Sequence, residues 1–327
     1  METLIGQRVI LLNLLIIIPF HAPQTLAEKI PQPIPSTFSI VAIDPENGDL
    51  GIAVQSKFFG VGVVVPWAKA GVGAVATQAF ANTSYGPRGL ALLEEGLSAE
   101  EVLKKLIEED EGRDQRQLGI VGTRGTISAY TGSKCNEWAG DHQGKTYTAQ
   151  GNILTGEEVV KAMGEAFEET TGELAERLVV PGGDRRGKQS AALLVVRKQG
   201  GYGGFDDRYI DLRVDDHPEP IQELNRLLRI KLTQNHIFKA SAYSREKKYE
   251  EAIEDVKWAV KSNPGNGSYH YDLACFYSLA GKKSMALKSL EKAFDLDPRL
   301  RSYSETDSDL DNVRGEKGFK RLMEAGK

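Results

Sequence analysis

The loop Gly182–Lys188 has a spacing close to that of a phosphate-binding loop, since four residues separate its first glycine from Gly187 and Lys188. A P-loop needs Ser or Thr directly after the lysine to hold magnesium, and it must open a helix whose N-terminus faces the phosphates. Here Gln189 follows the lysine, and the next residues, SAALLVV, have the pattern of a buried strand. We therefore interpret the loop as a polar turn that enters a strand, and no nucleotide site is predicted.

The histidines and cysteines show no spacing typical of metal ligands. The chain has five histidines and two cysteines, with no HExxH and no CxxC. A serine–histidine–aspartate triad would have to use His142 or His217, and no GxSxG turn accompanies either. The run Asp215–His217 could hold a cation, although it is also typical of a solvated turn. The sequence therefore predicts no metal, no cofactor and no disulfide framework for Cys135 and Cys275.

A threonine opens the first stretch with a strand pattern. From Thr37 the sequence alternates as TFSIVAI, turns at Asn47-Gly48 and returns as LGIAVQS. A threonine hydroxyl can attack an amide or ester carbonyl if a free α-amine on the same residue takes its proton, and an α-amine titrates at about 7.7–8.0. The encoded chain continues before Thr37, so this amine becomes free only if the chain is cut between Ser36 and Thr37. Without that cut, Thr37 is a β-branched strand residue.

The surrounding pattern predicts alternating blocks of strands and helices. Ser98 with Glu101, and Thr155 with Glu158, have the spacing of capping boxes, and the second pair is predicted to open a helix that runs to Leu178. Short hairpin connections between the strands favour largely antiparallel sheets. The first region is therefore predicted to be an α+β domain with layers in the order helix, sheet, sheet, helix.

From about residue 217 the pattern is helical and repeats every 34 residues. Small residues, tyrosine, lysine and proline recur at matching positions, as in tetratricopeptide repeats, where small residues lie at helix contacts. The matched residues are Ala240, Tyr243, Lys248, Ala252, Ala259 and Pro264, followed by Ala274, Tyr277, Lys282, Ala286, Ala293 and Pro298. The tail Gly318–Ala325 is predicted to cap these repeats.

The first residues have the composition of a secretory signal peptide. Val9–Phe20 is an apolar, charge-free run after Arg8, and Thr25–Ala27 provides a small-residue cleavage site. The sequence therefore predicts an exported protein, periplasmic or extracellular, with an uncleaved membrane anchor as the alternative. The proline-rich Ile30–Ser36 is predicted to be a linker. A net charge of −5 and scattered basic residues give no reason to expect nucleic acid as a partner.

Six blocks in one order, between about Thr37 and His217, resemble the domain of unknown function 1028 family, which is similar to N-terminal nucleophile hydrolases. They are TFSIVAIDPENGDLGIAVQSKF, VVVPWAKAGVGAVATQAFAN, YGPRGLALL, QGNIL, GGDRRGKQSAALLVV and GGYGGFDDRYIDLRVDDHP. The opening hairpin also resembles the start of threonine aspartases and proteasome subunits. The resemblance implies a four-layer αββα sandwich and no settled substrate, and some relatives look linked to cell-wall binding modules. Relatives typically open at Met-Thr, whereas Thr37 lies inside this chain.

The resemblance implies that pocket groups lie at strand ends, where Lys57, Thr77 and Gln78 are found. The amides of Gln78, Asn82 or Asn152 could form an oxyanion hole, and an aspartate–arginine pair could orient a charged substrate. The predicted site comprises Thr37, Gln78 and Asn152 as catalytic residues and Lys57, Thr77, Asn82, Asp184 and Arg185 as substrate-binding residues.

These observations predict an exported amidohydrolase-like protein that cleaves a small amide or peptide-like bond, cell-wall bonds included, with processed Thr37 as nucleophile. The repeats are expected to bind a protein partner, and an oligomer is compatible with them. The alternative is a non-catalytic binding or scaffold protein with the same fold. The predicted segments are a signal peptide at 1–27, a linker at 28–36, the N-terminal nucleophile hydrolase-like domain at 37–217, and an all-α tetratricopeptide-repeat domain with a capping helix at 218–327.

Overall fold

The computed structural model describes residues 37–178 and 187–325. The predicted signal peptide, the predicted linker, and the predicted substrate-binding residues Asp184 and Arg185 lie outside the described residues. The strands are β1 (Thr37–Ile43), β2 (Leu50–Ser56), β3 (Pro66–Lys69), β4 (Gly73–Ala79), β5 (Arg116–Gly122), β6 (Ile127–Thr131), β7 (Gly140–Gln143), β8 (Tyr147–Asn152), β9 (Ser190–Val196) and β10 (Arg208–Val214). The helices are α1 (Tyr85–Glu94), α2 (Ala99–Glu108), α3 (Glu158–Glu169), α4 (Leu174–Leu178), α5 (Pro220–Arg245), α6 (Tyr249–Ser262), α7 (Gly267–Leu279), α8 (Lys283–Leu296), α9 (Leu300–Ser304), α10 (Asp311–Arg314) and α11 (Lys317–Glu324).

The strands form two sheets. A six-stranded sheet has the order β10-β9-β2-β1-β8-β7, and a four-stranded sheet has the order β3-β4-β5-β6. Neighbouring strands pair antiparallel throughout both sheets, which confirms the predicted antiparallel pairing. The predicted turn at Asn47-Gly48 joins β1 to β2, and Gly48 has a φ of 79°, a conformation that glycine adopts without strain.

Period-two alternation divides the side chains of the six-stranded sheet between two apolar clusters. Val41, Ile52 and their neighbours on the same face pack with residues of β4 and β5. Phe38, Ile40 and Ala53 lie on the other face and pack with residues of α3, α4 and α5. A third cluster joins the outer face of the four-stranded sheet to α1 and α2. The first region is therefore a mixed α/β domain with antiparallel sheets and helices packed against them.

Of the two predicted capping boxes, the one at Ser98 is confirmed. The Ser98 hydroxyl accepts a hydrogen bond from the Glu101 N–H, and the Glu101 carboxylate accepts one from the Ser98 N–H. The other is wrong, because α3 has Glu157 as its N-cap residue and no side-chain cap. The predicted helix also does not run unbroken to Leu178. It ends at Glu169, and Gly172, with a φ of 110°, turns the chain before α4 begins.

The region after residue 219 is helical, as predicted, and its repeat positions coincide with helix contacts. The six alanines that recur at the 34-residue offset are fully buried: Ala240, Ala252, Ala259, Ala274, Ala286 and Ala293. Small side chains at these positions allow neighbouring helices to approach closely. Phe319 of α11 is buried in the same cluster, consistent with a capping role. Among the described residues, no helix is both long enough and apolar enough to cross a membrane.

A single helix, α5, connects the two regions. Leu224, Leu228 and Leu232 in its first half are buried in the cluster that covers the six-stranded sheet. Ala240 in its second half is buried in the cluster of the repeats. Because α5 is continuous over 26 residues, the first repeat is held against the sheet domain by an unbroken helix.

Candidate functional site

A row of polar side chains lies between the two sheets. Thr37 and Ser39 on β1, and Thr148, Gln150 and Asn152 on β8, occupy alternate positions and are all buried. Alternation places each set on one face of its strand, and Ser39 and Gln150 are directly opposite each other across the pair. On β1, Thr37 and Ser39 lie on the same face as Val41, which packs between the two sheets. The space between the sheets is therefore polar at the Thr37 end.

Thr37 is the first residue of β1, which lies in the interior of the six-stranded sheet. It pairs directly with Ser56 on β2 and with Asn152 on β8. Its Oγ1 atom is 3.1 Å from the Ser56 Oγ, and the residue is 2% exposed. The strand register therefore brings two hydroxyls and one side-chain amide to the same end of the sheet.

Two side-chain amides approach the carbonyl oxygen of Thr37. Gln78 Nε2, from the facing sheet, and Asn152 Nδ2 each donate to that oxygen at 3.4 Å. These are long hydrogen bonds, because N–H···O distances centre on about 2.9–3.0 Å. The structure thus brings together the three residues predicted as catalytic, with both amides directed at the backbone of Thr37.

Gln117 on β5, which the sequence did not single out, connects these amides. Its Oε1 accepts from Gln78 Nε2 at 2.8 Å and from Asn152 Nδ2 at 3.0 Å. Its own Nε2 donates to the Gly151 carbonyl at 2.7 Å. Gln117 is fully buried and joins the facing sheets through polar contacts. The side-chain N–H groups of Gln78 and Asn152 are therefore already used.

The remaining members form a directional chain of hydrogen bonds. The Thr148 hydroxyl donates to Gln150 Oε1 at 3.1 Å, and Gln150 Nε2 donates to the Ser39 hydroxyl at 2.6 Å. Ser39 in turn donates to Gln78 Oε1 at 2.7 Å. Chains of this kind polarise and strengthen one another in a low-dielectric interior. We call this set the sheet network; it comprises Thr37, Ser39, Gln78, Gln117, Thr148, Gln150 and Asn152.

Period two in the polar residues was the signal that could have revealed the network members on β1 and β8. In TFSIVAI, a threonine and a serine alternate with apolar residues, and in YTAQGN three polar residues occupy alternate positions. Such a row indicates a polar patch on one face of a strand. Gln117 carries no comparable signal, because Arg116 precedes it on β5 and the residues after it are apolar or glycine. Only the packing of the two sheets brings it into the network.

The backbone is strained at two residues that border the network. Ala79 follows Gln78 with a φ of 63°, and Ile153 follows Asn152 with a φ of 56°. A β-branched residue in the left-handed region is a genuine outlier, and such strain clusters at functional sites. The two strands that supply the predicted amides therefore both end in strained residues.

Lys57, Thr77 and Asn82, the predicted substrate-binding residues that the structure describes, do not gather around the Thr37 hydroxyl. Thr77 lies on the opposite face of β4 from Gln78, and its hydroxyl donates to the Asn82 carbonyl at 3.2 Å. The Asn82 amide donates to Asp110 Oδ2 at 3.1 Å. Lys57 is exposed just after β2, where its Nζ donates to the Lys188 carbonyl at 3.2 Å. Of these three residues, Lys57 is the one that directly follows β2, the strand whose last residue, Ser56, pairs with Thr37.

Asp110 anchors the loop that follows β4. It accepts hydrogen bonds from Arg116 Nε at 2.9 Å, from the Tyr85 hydroxyl at 2.7 Å and from Asn82. The Arg116 guanidinium, followed by the other donors, lowers the pKa of Asp110 far below its usual range, against the opposing effect of burial. Asn82 therefore supports a structural anchor, which explains why it is not directed at Thr37.

The remaining polar candidates lie elsewhere. Lys188 of the glycine–lysine loop forms an ion pair with Glu219 at 2.6 Å, and β9 follows the loop as a strand, as expected. His217 Nδ1 accepts from the Glu219 N–H at 3.0 Å. Within 37–178 and 187–325, the donor set that could hold a metal ion is Cys275, Asp307 and Asp309, whose ligand atoms lie within 4.8 Å of one another. That set belongs to the repeats and not to the sheet network.

The geometry at Thr37 limits the chemistry available there. Among the described residues, Ser56 is the side chain hydrogen-bonded to the Thr37 hydroxyl, and no lysine, histidine or carboxylate occupies that position. A serine hydroxyl is not a base at neutral pH. The described residues therefore supply no base that is hydrogen-bonded to the Thr37 hydroxyl, whereas a cut before Thr37 would create one in its α-amine.

Comparisons with known proteins agree with the two regions of the fold. Residues 37–224 match the family model described as a family of unknown function (DUF1028), and residues 233–266 and 267–300 match the tetratricopeptide repeat. The crystal structure of a protein from Silicibacter pomeroyi, also assigned to DUF1028, is 32% identical, with a TM-score of 0.55 over 59% of this chain and 88% of that chain. No curated protein gives a significant match. The chain therefore belongs to the DUF1028 family and carries two tetratricopeptide repeats after its family domain.

Proposed function

We propose that the protein is an exported amidohydrolase-like enzyme in which Thr37 becomes the nucleophile after a cut between Ser36 and Thr37. The observation that carries the proposal is the position of Thr37. It opens an interior strand, and its hydroxyl is 3.1 Å from Ser56 at the polar end of the space between the sheets. The strained Ala79 and Ile153 beside this end support a functional role for it.

The arrangement of the sheets supports the four-layer αββα sandwich of N-terminal nucleophile hydrolases as the finer description of the fold. One apolar cluster lies between the two sheets, and two others lie between each sheet and its helices. In this fold the nucleophile is the first residue of a central strand. Fold likeness alone does not establish an activity, so the proposal depends on the state of Thr37.

The chemistry follows from the freed amine. The neutral α-amine takes the proton of Oγ1 as that oxygen bonds to the carbonyl carbon of an amide. The protonated amine then passes its proton to the leaving nitrogen, the C–N bond breaks, and an ester remains on Thr37. Water, deprotonated by the same amine, attacks the ester and releases the acid and the hydroxyl. A small amide or peptide-like bond, including one of cell-wall type, fits this sequence of steps.

The proposal gives Gln78 and Asn152 a positioning role. Their amide groups already donate to the Thr37 carbonyl and to Gln117, so their N–H groups are not free to bind an oxyanion. By holding the Thr37 carbonyl, they fix the rotation of the residue and therefore the direction of its hydroxyl. An oxyanion would then have to be bound by backbone N–H groups at the same strand ends.

The decisive experiment is intact mass with N-terminal sequencing of protein exported by a bacterial host, for the wild type and for Thr37→Ala. We expect a mature wild-type chain that begins at Thr37, and hydrolysis of amide substrates that Thr37→Ala abolishes. Thr233→Ala is the matched control, because Thr233 is a buried threonine on α5 whose hydroxyl donates to the Arg229 carbonyl. A mature wild-type chain that begins near Glu28 would leave Thr37 without its base and contradict the enzyme proposal.

As a second function, we propose a non-catalytic binding protein. The hydrogen bonds that Thr37 forms in the unprocessed chain favour it. Its hydroxyl and its carbonyl both have partners, and the residue is 2% exposed. The tetratricopeptide repeats point to protein–protein interaction in either case, because stacked repeats form extended binding surfaces. Specific binding of a cell-wall peptide by a chain that retains the residues before Thr37, measured by calorimetry, would support this function over hydrolysis.

A further inference from the structure

A cleft lies beside the part of α5 that passes from the sheet domain to the repeats. This part is residues 235–239, between Leu232, which is buried against the six-stranded sheet, and Ala240, which is buried in the repeats. The start of α4, the end of β9 and β10 form the other wall, and the volume of the cleft is ≈ 270 Å³. That is more than ten times the roughly 10–15 Å³ that one water requires, so the cleft has room for a small organic molecule.

The wall opposite α5 carries a carboxylate that faces the cleft. Arg197 donates to Asp49 from Nε at 2.8 Å and from Nη2 at 2.6 Å, so the charges of this pair cancel. The Tyr209 hydroxyl donates to Glu173 Oε2 at 2.7 Å. Burial, followed by the Glu173 carboxylate, raises the pKa of Tyr209 to about 12, so this hydroxyl stays protonated at neutral pH. The Glu173 side chain is 33% exposed and lies 3.9 Å from Arg197, so it can accept further hydrogen bonds from a ligand.

The α5 wall presents two nitrogen donors one helical turn apart. Lys239 Nζ is 3.6 Å from Asp255 Oδ1, beyond hydrogen-bond distance, and the lysine side chain is 58% exposed. Asn235 Nδ2 is buried and has no hydrogen-bond partner among the described residues, although the amide lies near the Tyr209 hydroxyl. Residues four apart share one face of a helix, so a carboxylate in the cleft can accept from both donors.

Two further side chains of α5 complete the wall. His236 is held in place, because its Nδ1 is 2.7 Å from Asp255 Oδ1 and its ring stacks on Trp258 with 4.3 Å between the ring centroids. Phe238 is 67% exposed and lines the same cleft. The cleft therefore combines fixed polar groups with an apolar surface that a ligand can cover.

The charged groups of the two walls have opposite sign and are connected. The Asn235 amide lies near the Tyr209 hydroxyl, which in turn is bonded to Glu173. A ligand that contacts Lys239, Asn235 and Glu173 together must therefore carry a negative and a positive group close to each other. An α-amino acid has its carboxylate and its ammonium on one carbon atom, and an apolar side chain on that carbon can cover Phe238.

We propose that this cleft is a binding site for a free α-amino acid with an apolar side chain. Its carboxylate accepts hydrogen bonds from Lys239 Nζ and Asn235 Nδ2, and its ammonium donates to the Glu173 carboxylate. Charge-assisted hydrogen bonds at both ends distinguish this ligand from a simple amine or a simple acid.

The cleft and Thr37 lie at opposite ends of the six-stranded sheet. Thr37 pairs with Ser56, the last residue of β2. Arg197 follows the end of β9 that pairs with Leu50, the first residue of β2. The amino-acid site therefore does not depend on processing at Thr37, and it stands or fails separately from the hydrolase function.

The test is calorimetry on the full chain at pH 7 with L-leucine, N-acetyl-L-leucine and L-leucinamide as probes. The second probe lacks the ammonium, and the third lacks the carboxylate. We expect saturable binding of L-leucine and binding at least about tenfold weaker for each of the other two, because each loses one set of charge-assisted hydrogen bonds.

Two variants assign the two charged groups. Lys239→Met should lose the preference for L-leucine over L-leucinamide, and Glu173→Gln should lose the preference for L-leucine over N-acetyl-L-leucine. Lys261→Met is the matched control, because Lys261 is an exposed lysine on α6 outside the cleft, and it should bind L-leucine as the wild type does.

A second measurement uses the wild type alone, so it does not depend on how the variants fold. The Asn235 side-chain amide resonances should shift on titration with L-leucine, with the same midpoint as in calorimetry. The proposal is overturned if L-leucine gives no saturable heat or no shift of these resonances. It is equally overturned if N-acetyl-L-leucine or L-leucinamide binds as tightly as L-leucine, or if Lys239→Met and Glu173→Gln keep the wild-type preferences.

Discussion

The sheet network consists of buried neutral polar groups, whereas the helical region after residue 219 brings half-buried acidic groups near one another. In the sheet network, neutral amides and hydroxyls satisfy each other through Gln117 and Gln150. In the repeats, Asp307 Oδ2 accepts from the Tyr271 hydroxyl at 2.9 Å and from the Cys275 thiol at 3.6 Å. We call the second set the acid cluster; it comprises Tyr271, Asp272, Cys275, Asp307 and Asp309.

The acid cluster is poorly neutralised. Burial, followed by repulsion from Asp307, raises the pKa of Asp272 to about 6. Burial and neighbouring carboxylates also raise the pKa of the Cys275 thiol, so the thiol stays protonated at neutral pH. The same causes raise the pKa of Asp309. The sheet network contains no ionisable side chain, so in the chain that retains the residues before Thr37 its stability should not respond to pH, whereas that of the acid cluster should.

The largest effect is expected from Gln117→Leu, which breaks the sheet network at its centre. The substitution removes one hydrogen-bond partner from each of the amides of Gln78 and Asn152 and from the Gly151 carbonyl. We expect a loss of about 3 kcal/mol in the free energy of unfolding, measured by urea denaturation of the chain that retains the residues before Thr37 and equal at pH 5.5 and pH 8.

The control for this variant is Gln143→Leu, which replaces an exposed glutamine on the edge strand β7 and should change stability by less than about 0.5 kcal/mol. A marked pH dependence of the Gln117→Leu effect would contradict the description of the network as neutral.

Asp110→Asn is expected to have a smaller effect. It should lower the free energy of unfolding by about 2 kcal/mol at pH 7, because it breaks the charge-assisted hydrogen bonds to Arg116 in the family domain. The pKa of Asp110 is lowered on folding, so its stabilisation is present above the unfolded pKa of about 3.9 and is lost as pH falls. The difference in the free energy of unfolding between wild type and variant, measured by urea denaturation, should therefore become smaller below about pH 4.

The matched control for Asp110→Asn is Asp114→Asn. The Asp114 side chain is 41% exposed and pairs with Lys134 at 3.1 Å. An exposed ion pair contributes about 0–1 kcal/mol, so this control should have a small effect at every pH. If both variants lost the same stability, the larger contribution assigned to the buried ion pair of Asp110 and Arg116 would be contradicted.

The smallest effect, of opposite sign, is expected from Asp272→Asn. The pKa of Asp272 is raised on folding to about 6, so its ionisation destabilises the fold increasingly as pH rises from about 4 to 6 and by a constant amount above that. The free energy of unfolding of the variant should exceed that of the wild type by about 1 kcal/mol at pH 7.5 and should equal it at pH 4, as measured by urea denaturation at both pH values.

Asp295→Asn, an exposed aspartate on α8, is the control for Asp272→Asn and should leave the pH profile unchanged. A loss of stability in Asp272→Asn at pH 7.5 would mean that the carboxylate of Asp272 is neutralised after all, and the contrast with the sheet network would have to be abandoned.

Much of the fold was predictable because it depends on local periodicity. The alternation in TFSIVAI and LGIAVQS, with Asn47-Gly48 between them, predicts the hairpin that the structure shows. The wrong prediction of a capping box at Thr155, and the interruption at Gly172 of the helix predicted to run to Leu178, have a local cause as well. A capping spacing alone does not fix where the first turn begins, and a glycine inside a helical pattern can end it.

Part of the candidate site was predictable for the same reason. Thr37, Gln78 and Asn152 were found because polar residues at strand ends are conspicuous, and strand register then brings them together. Thr77 was chosen for its place near the same strand end as Gln78, yet its hydroxyl contacts the Asn82 carbonyl, because adjacent strand residues point to opposite faces. Asn82, predicted as an amide that could bind an oxyanion, contacts Asp110 instead. Sequence position near a strand end does not decide which face a side chain occupies when both faces are buried.

The sequence by itself determined the strand and helix periods, the 34-residue repeat and the polar rows of β1 and β8, because these depend on residues close together in the chain. Only the tertiary structure decided that Gln117 joins the two sheets, that Gln55 is buried without a hydrogen-bond partner among the described residues, and that Cys275 lies beside Asp307. Those outcomes depend on which strands and helices pack together across long stretches of sequence, and periodicity within one element carries no information about its neighbour.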